Sequence, residues 1–303
     1  MSNIKFYPNS SSVNDFLLEL VNENKSDKTV KAYSHDLHLF FQFISNKINV
    51  EIEKISVNDI KNITKSDITA FLIKESNLSA SSKSRHVSSI KGFFKYMLDN
   101  KLISENPSEL IKKPKTNKTL PKYLSLSESK ELLNTVKNNE GKNRNRERDF
   151  AIITIFLNCG LRLNELVNLD LNSIKDGTVK VFGKGSKERK IALNDACIKA
   201  LDNYLKTRND KENALFLSEN KTRIGERRVQ EVVKGYLSDI GCGDLSTHKI
   251  RHTSATLLYQ YANADIIALQ EFLGHSSPTT TSIYTHTNNE NQRNIVNKSP
   301  LNF

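Results

Sequence analysis

In Thr178-Val-Lys-Val-Phe-Gly-Lys-Gly-Ser-Lys-Glu-Arg-Lys-Ile-Ala-Leu193, two short β-type runs, Thr178–Phe182 and Arg189–Leu193, flank Gly183-Lys184-Gly185-Ser186-Lys187. The pattern predicts a hairpin that carries a Gly-flanked lysine at its turn. On either side of it, apolar residues recur at three- and four-residue spacing, the period of an α-helix. The chain is therefore read as mainly α with a small β-sheet.

Upstream, Val13, Phe16, Leu17 and Leu20 form one short stripe. Ser26-Asp27 can cap a helix whose stripe is Val30, Tyr33, Leu37, Phe40, Phe41 and Ile44. Ser66-Asp67 precedes Ile68, Phe71 and Leu72, and a fourth segment places Val87, Ile90, Phe93, Phe94 and Met97 on one face. Four such helices make a small bundle. Residues 104–123 then break the period: Pro107, Pro114 and Pro121 are interspersed with five lysines, as in a linker. Helical periodicity returns over 127–137 and 147–158, a turn follows at Asn158-Cys159-Gly160, and another helix runs through Glu165. Beyond the hairpin, helices dominate to about residue 285, and 287–303 reads as an Asn-rich tail.

Composition narrows the function classes. The chain has 303 residues, with 45 Lys plus Arg against 34 Asp plus Glu, a net charge of +11. This balance favours a polyanionic partner. No apolar run approaches the ~18 residues of a membrane span, and Met1-Ser2-Asn3-Ile4-Lys5 leads into no secretory segment. Three cysteines without CxxC spacing argue against a disulfide framework and a zinc ribbon. A reduced, cytoplasmic protein is expected.

The chemistry-bearing residues lie in the second half. His248-Lys249-Ile250-Arg251-His252 puts His248 and Arg251 at i,i+3 on one side of a helical turn. Arg162 follows the Gly160 turn, and His275 and Tyr284 stand near the end. Two arginines offer forked donors to a phosphate and keep their charge. Two histidines can donate or move a proton near neutral pH. Lys184 on the hairpin can protonate a leaving oxygen, and a tyrosine activated by these cations can attack phosphorus. Each piece also has a plainer reading: HxxR as a surface ion-pair participant, Arg162 and Glu165 as an i,i+3 pair, Gly183-Lys184-Gly185 as a mere turn, Tyr284 as a core residue. Taken together, in this order, they read as phosphoryl transfer through a phosphotyrosine. No clustered Asp/Glu/His set suggests a divalent metal, so no cofactor is assigned.

Gly160-Leu-Arg-Leu-Asn-Glu-Leu166, Phe182-Gly-Lys-Gly-Ser-Lys-Glu-Arg189, His248-Lys-Ile-Arg-His-Thr-Ser-Ala-Thr-Leu-Leu258 and Leu273-Gly-His-Ser-Ser-Pro-Thr-Thr-Thr-Ser-Ile-Tyr-Thr-His286 resemble the motifs of the tyrosine recombinases, the phage integrase family, most of all the Xer type. The resemblance implies a SAM-like core-binding helical domain at 1–103, a Lys/Pro-rich linker at 104–123, a mixed α/β catalytic domain at 124–286 and a tail at 287–303, either a segment that docks in trans or a frayed end. It implies that Arg162 and Arg251 clamp the scissile phosphate and His275 hydrogen-bonds it. Lys184 would be the general acid, His248 the general base or proton relay, and Tyr284 the nucleophile of a 3′-phosphotyrosyl link. Glu165 would orient its neighbours. Ala192 departs from the proline usual in relatives, and Ile250 from leucine. The implied partners are double-stranded DNA with inverted half-sites, held in a C-shaped clamp, and further copies of the chain: a dimer on one site, a tetramer in synapsis. A second recombinase or an accessory protein is a further implied partner, and a membrane is not. The helices at 83–97 and 226–237 are expected to touch DNA, either at base edges or as phosphate contacts that position without specifying. Chromosome-dimer resolution, inversion and integration all stay open as roles. The rival readings are a type IB topoisomerase and a DNA-binding accessory protein without activity.

Overall fold

Five helices fold the first part of the chain: α1 (Ser11–Asn22), α2 (Asp27–Ile48), α3 (Val57–Lys61), α4 (Lys65–Lys74) and α5 (Ala80–Asp99). The computed structural model describes residues 9–114, 122–139, 145–182, 188–262 and 265–274. The hairpin turn with Lys184, the stretch with His275 and Tyr284, residues 115–121 of the predicted linker and the 287–303 tail lie outside the described residues. The chain divides into two compact units, Met1–Lys118 and Thr119–Phe303.

In the first unit the apolar stripes do what their period requires. Val30, Leu37, Phe40, Phe41 and Ile44 of α2 are buried, as are Val87, Ile90, Phe93, Phe94 and Met97 of α5. Their rings meet edge to face: Phe40 lies 5.3 Å from Phe71 of α4, and Phe41 lies 5.3 Å from Phe93, the geometry the ring quadrupole favours. Ser26 caps α2, its side chain accepting from the Thr29 N–H at 3.2 Å. The helix expected after Ser66-Asp67 begins earlier. Thr64 is its cap, and Asp67 reaches back to accept the Thr64 N–H at 2.9 Å, a reciprocal box that satisfies two helix-end donors. Four helices were expected here; α3 is the fifth, five residues long and too short to show a period.

One charge is sealed inside this bundle. Asp36 of α2 has no exposed surface and takes a forked pair of hydrogen bonds from Arg85 of α5, at 2.9 and 2.8 Å. Arg85 keeps about half its side chain in water, so its charge is only partly desolvated.

The second unit comprises α6 (Leu126–Lys137), α7 (Arg146–Cys159), α8 (Leu163–Val167), β1 (Ile174–Lys175), β2 (Thr178–Phe182), β3 (Glu188–Ala192), α9 (Asp195–Lys206), α10 (Glu226–Asp239), α11 (Thr247–Tyr261) and α12 (Ile266–Leu273). α7 is its axis: Ala151 through Leu157 are all buried, with α6, α9 and α11 packed around them. The sheet is antiparallel in the order β1-β2-β3. The hairpin runs come out as read, β2 to the residue and β3 shifted by one. β1 was not expected. It turns into β2 through Asp176 (φ 50°) and Gly177 (φ 69°), a two-residue turn with both φ positive, for which Asp-Gly is the favoured pair. No helix among the described residues is long and apolar enough to cross a membrane.

Breaking the buried Asp36–Arg85 pair has a direct expected outcome. Asp36→Ala leaves Arg85 facing an apolar bundle and lowers stability by roughly 2–3 kcal/mol, toward the lower end for a broken buried pair because Arg85 can rehydrate. The shift of the urea midpoint checks this, with Lys54→Ala on the surface expected to move it little.

Candidate active site

α7 ends at Gly160, whose left-handed backbone (φ 55°) turns the chain sharply into Leu161-Arg162 and α8. A Cβ at Gly160 would lie 3.1 Å from Leu273 Cδ2 and 3.1 Å from Ser254 Oγ, so this turn is pressed against α11 and the end of α12. A glycine is needed there on both counts. The turn sets Arg162 at the start of α8 and points Glu165, three residues on, back toward it.

Glu165 is the centre of the site, its side chain 3% exposed. Arg162 donates to its two oxygens, through Nη1 (2.7 Å) and through its backbone N–H (2.7 Å). Arg189 of β3 donates Nη1 and Nη2 to the same oxygens at 2.8 and 2.9 Å. Arg251 of α11, itself buried, brings Nη1 to 3.7 Å. Burial alone would raise the Glu165 pKa, but the hydrogen bonds and charges of Arg189 and Arg162 prevail and hold it below the ordinary carboxylate value. Three guanidiniums around one carboxylate leave the site electropositive.

The same three arginines also hold the end of α12. Arg189 Nε donates to the Phe272 carbonyl at 3.1 Å, Arg251 Nη2 to the Leu273 carbonyl, and Arg162 Nη2 to the Gly274 carbonyl at 2.7 Å. Terminal carbonyls lack partners within their own helix, and cations are favoured at that end. Arg251 is fixed further by a 2.6 Å bond from Nη1 to the Gly160 carbonyl.

His248 stands one turn before Arg251 on α11. Burial first, then the charges of Arg251, Lys249 and Arg162, hold it below the ordinary histidine value, so it is neutral and able to accept a proton at neutral pH. Its Nε2 lies 3.1 Å from Nε2 of His252, with the rings edge to face.

Of the six residues singled out in the sequence, Arg162, His248 and Arg251 are gathered here; Lys184, His275 and Tyr284 lie outside the described residues. Arg162 and Glu165 do form the i,i+3 ion pair, but that pair is part of a larger cluster. Arg189 was quoted within its motif without a role. Its signal was an arginine on a strand at the same parity as buried Ile191, with Glu188, Lys190 and Ala192 exposed between and around them.

Two family models match the chain: "Phage integrase family" over residues 122–291 and "Phage integrase, N-terminal SAM-like domain" over 13–101. The chain is 42% identical over 298 residues to the tyrosine recombinase XerC of Caldanaerobacter subterraneus subsp. tengcongensis, an alignment spanning 91% of this chain and 83% of that protein. It is 35% identical to the XerC of Leptospira interrogans over 302 residues, spanning 96% and 94%. Among solved structures, the XerH site-specific recombinase in its pre-cleavage complex with a difH substrate superposes with a TM-score of 0.72 at 25% identity, covering 95% of this chain and 84% of that one.

Because Glu165 is held ionised in the folded chain, the stability it contributes is present above the ordinary carboxylate range and lost as pH falls through its depressed value. Glu165→Gln is expected to lower the melting temperature at neutral pH, with the gap to the parent closing as the buffer is made acidic. Calorimetry from about pH 7 down to about pH 2.5 checks this; a gap independent of pH over that span would contradict it.

Proposed function

The chain belongs to the phage integrase family and is a tyrosine recombinase of the Xer type, and from that premise we propose how its residues cleave and rejoin DNA strands at specific sites. The observation that carries the reading is the cluster of Arg162, Arg189 and Arg251 around Glu165, with Arg162 the most exposed of the three. An electropositive recess whose arginines keep their charge suits a phosphodiester, and most of all a transition state that gathers negative charge on its non-bridging oxygens.

In this reading Arg162 and Arg251 hold the scissile phosphate and His275 adds a hydrogen bond. The Tyr284 hydroxyl attacks phosphorus and gives its proton to neutral His248. The P–O5′ bond breaks, and Lys184 protonates the departing 5′ oxygen. The product is a 3′-phosphotyrosyl link and a free 5′ hydroxyl. A 5′ hydroxyl from the partner duplex then reverses the chemistry, so the phosphodiester energy is conserved and neither a metal nor ATP is required. Tyr284, whose ordinary pKa is about 10, depends on the surrounding cations for activation.

The partner is double-stranded DNA with inverted half-sites, bound by a dimer, with two sites joined in a tetramer; the action takes place in the cytoplasm. XerH, solved on its difH substrate, supports DNA as the partner, and so does the excess of basic residues. The division of labour follows the sequence boundaries: 1–103 and 124–286 bind DNA, 104–123 links them, and 287–303 reaches a neighbouring copy.

The test uses a duplex selected from a randomised library for binding to this chain, then nicked so that the short product diffuses away. Incubated with EDTA and run on a denaturing gel, the parent chain is expected to give a protease-sensitive adduct and Tyr284→Phe none. An adduct that persists in Tyr284→Phe, or DNA that binds and is never cleaved, would overturn the reading. Binding should weaken steeply with salt, since several phosphates are neutralised.

A further inference from the structure

A strand that lies against a core normally turns apolar side chains inward, yet β3 turns in Arg189 beside Ile191. Val181 pairs with Arg189 across the ladder, and Glu188, Lys190 and Ala192 face solvent. The Arg189 side chain is 13% exposed. A guanidinium is placed there only if its donors are used, and they are: two to Glu165 and one to the Phe272 carbonyl. The chain is also shaped around it. Gly274 has φ 62°, and a Cβ there would come within 3.1 Å of Arg189 Nη1 and 3.3 Å of its Cδ and Cζ.

Arg189 thus bridges three segments far apart in sequence: the base of the hairpin whose turn carries Lys184, the α8 carboxylate that grips Arg162, and the end of α12, one residue before His275. We propose that Arg189 is a positioning residue for strand cleavage, fixing Glu165 and the α12 terminus so that the arginines meet the scissile phosphate in a reactive geometry, without itself touching DNA. This rests on the assignment of Arg162 and Arg251 to the phosphate made above.

The physical case is electrostatic as well as steric. Glu165 accepts from Arg162 and Arg189 on both oxygens, with Arg251 at 3.7 Å. Asp170 and Lys180 line the cavity beside it. Remove Arg189 and the site loses one positive charge, while the carboxylate keeps only Arg162 as a hydrogen-bonded partner. Glu165 then draws more fully on Arg162, the residue a phosphate needs, and burial pushes its own pKa upward. Misplacing reacting groups by about 1 Å can slow a reaction on the order of 100-fold.

Arg189→Met and Arg189→Lys are compared with the parent on the selected nicked duplex. Arg189→Met is expected to slow adduct formation on the order of 100-fold while its mobility-shift affinity changes less than about 3-fold, because the buried Arg189 is not a phosphate contact. The acid limb of its rate–pH profile should move to higher pH, since Glu165 protonates more readily. Arg189→Lys keeps the charge without the fork and should recover roughly 10-fold of the loss. Should Arg189→Met fail to fold, the lysine variant decides alone: cleavage reduced roughly 10-fold at unchanged affinity and melting temperature supports the positioning role. Cleavage within about 3-fold of the parent in a folded variant overturns it. So does a loss equal at every pH and matched by a loss of binding and melting temperature, which marks a packing role. Failure of the phosphotyrosyl reading is distinguishable, because there Tyr284→Phe retains its adduct whatever Arg189 does.

Discussion

An ionised carboxylate withdrawn from water must be met by charge and hydrogen bonds or it neutralises, and in the second unit that carboxylate is Glu165. Its requirement draws together Arg162 from the turn after α7, Arg189 from β3 and Arg251 from α11. The dependence runs both ways. Three guanidiniums brought this close repel one another unless a negative charge sits among them, so the carboxylate is also what allows a dense positive site to exist. One anion among three cations leaves the excess that a phosphodiester would meet.

The end of α12 is the second constraint. α12 is eight residues long, and its last carbonyls are satisfied by side chains from elsewhere, one arginine for each of residues 272 to 274. A short helix has little cooperative stability of its own, so its position is set by those bonds and by Leu269 and Leu273 packing on Ala255 of α11. The two left-handed glycines complete the arrangement. Gly160 lets the α7 turn approach Leu273, and Gly274 leaves room for Arg189. The α7 turn with Arg162, the strand and the helix end are therefore one mechanical unit, and a change at any of them is felt at the others.

Much of this was legible beforehand, for reasons that can be named. Long stripes such as those of α2 and α5 declare themselves because a bundle must bury them. β2 was bounded correctly because its β-type run stops at Gly183, where the turn segment begins. What went unread was short or reciprocal. β1 has two residues and no period, although Asp176-Gly177 marked its turn. Ser66-Asp67 marks the approach to the α4 stripe, but the cap is Thr64, and Asp67 answers it from the third helical position. In the site, the i,i+3 spacing exposed His248 and Arg251, and the glycine turn exposed Arg162. Arg189 was hidden among Lys187, Glu188 and Lys190, where only the facing of the strand separates it from surface charge.

Local rules acting along the chain determined a helical bundle and the two strands of a hairpin, and the spacing of Arg162, His248 and Arg251. Period, turn chemistry and residue type depend on neighbours within a few positions, and sequence displays those directly. Tertiary structure alone decided that Glu165 would be shared among three arginines, that these would also hold the α12 carbonyls, and that Arg189 would face inward. Those facts depend on contacts between residues 22 to 112 positions apart, and on a burial that turns an ordinary i,i+3 ion pair into the anchor of the site.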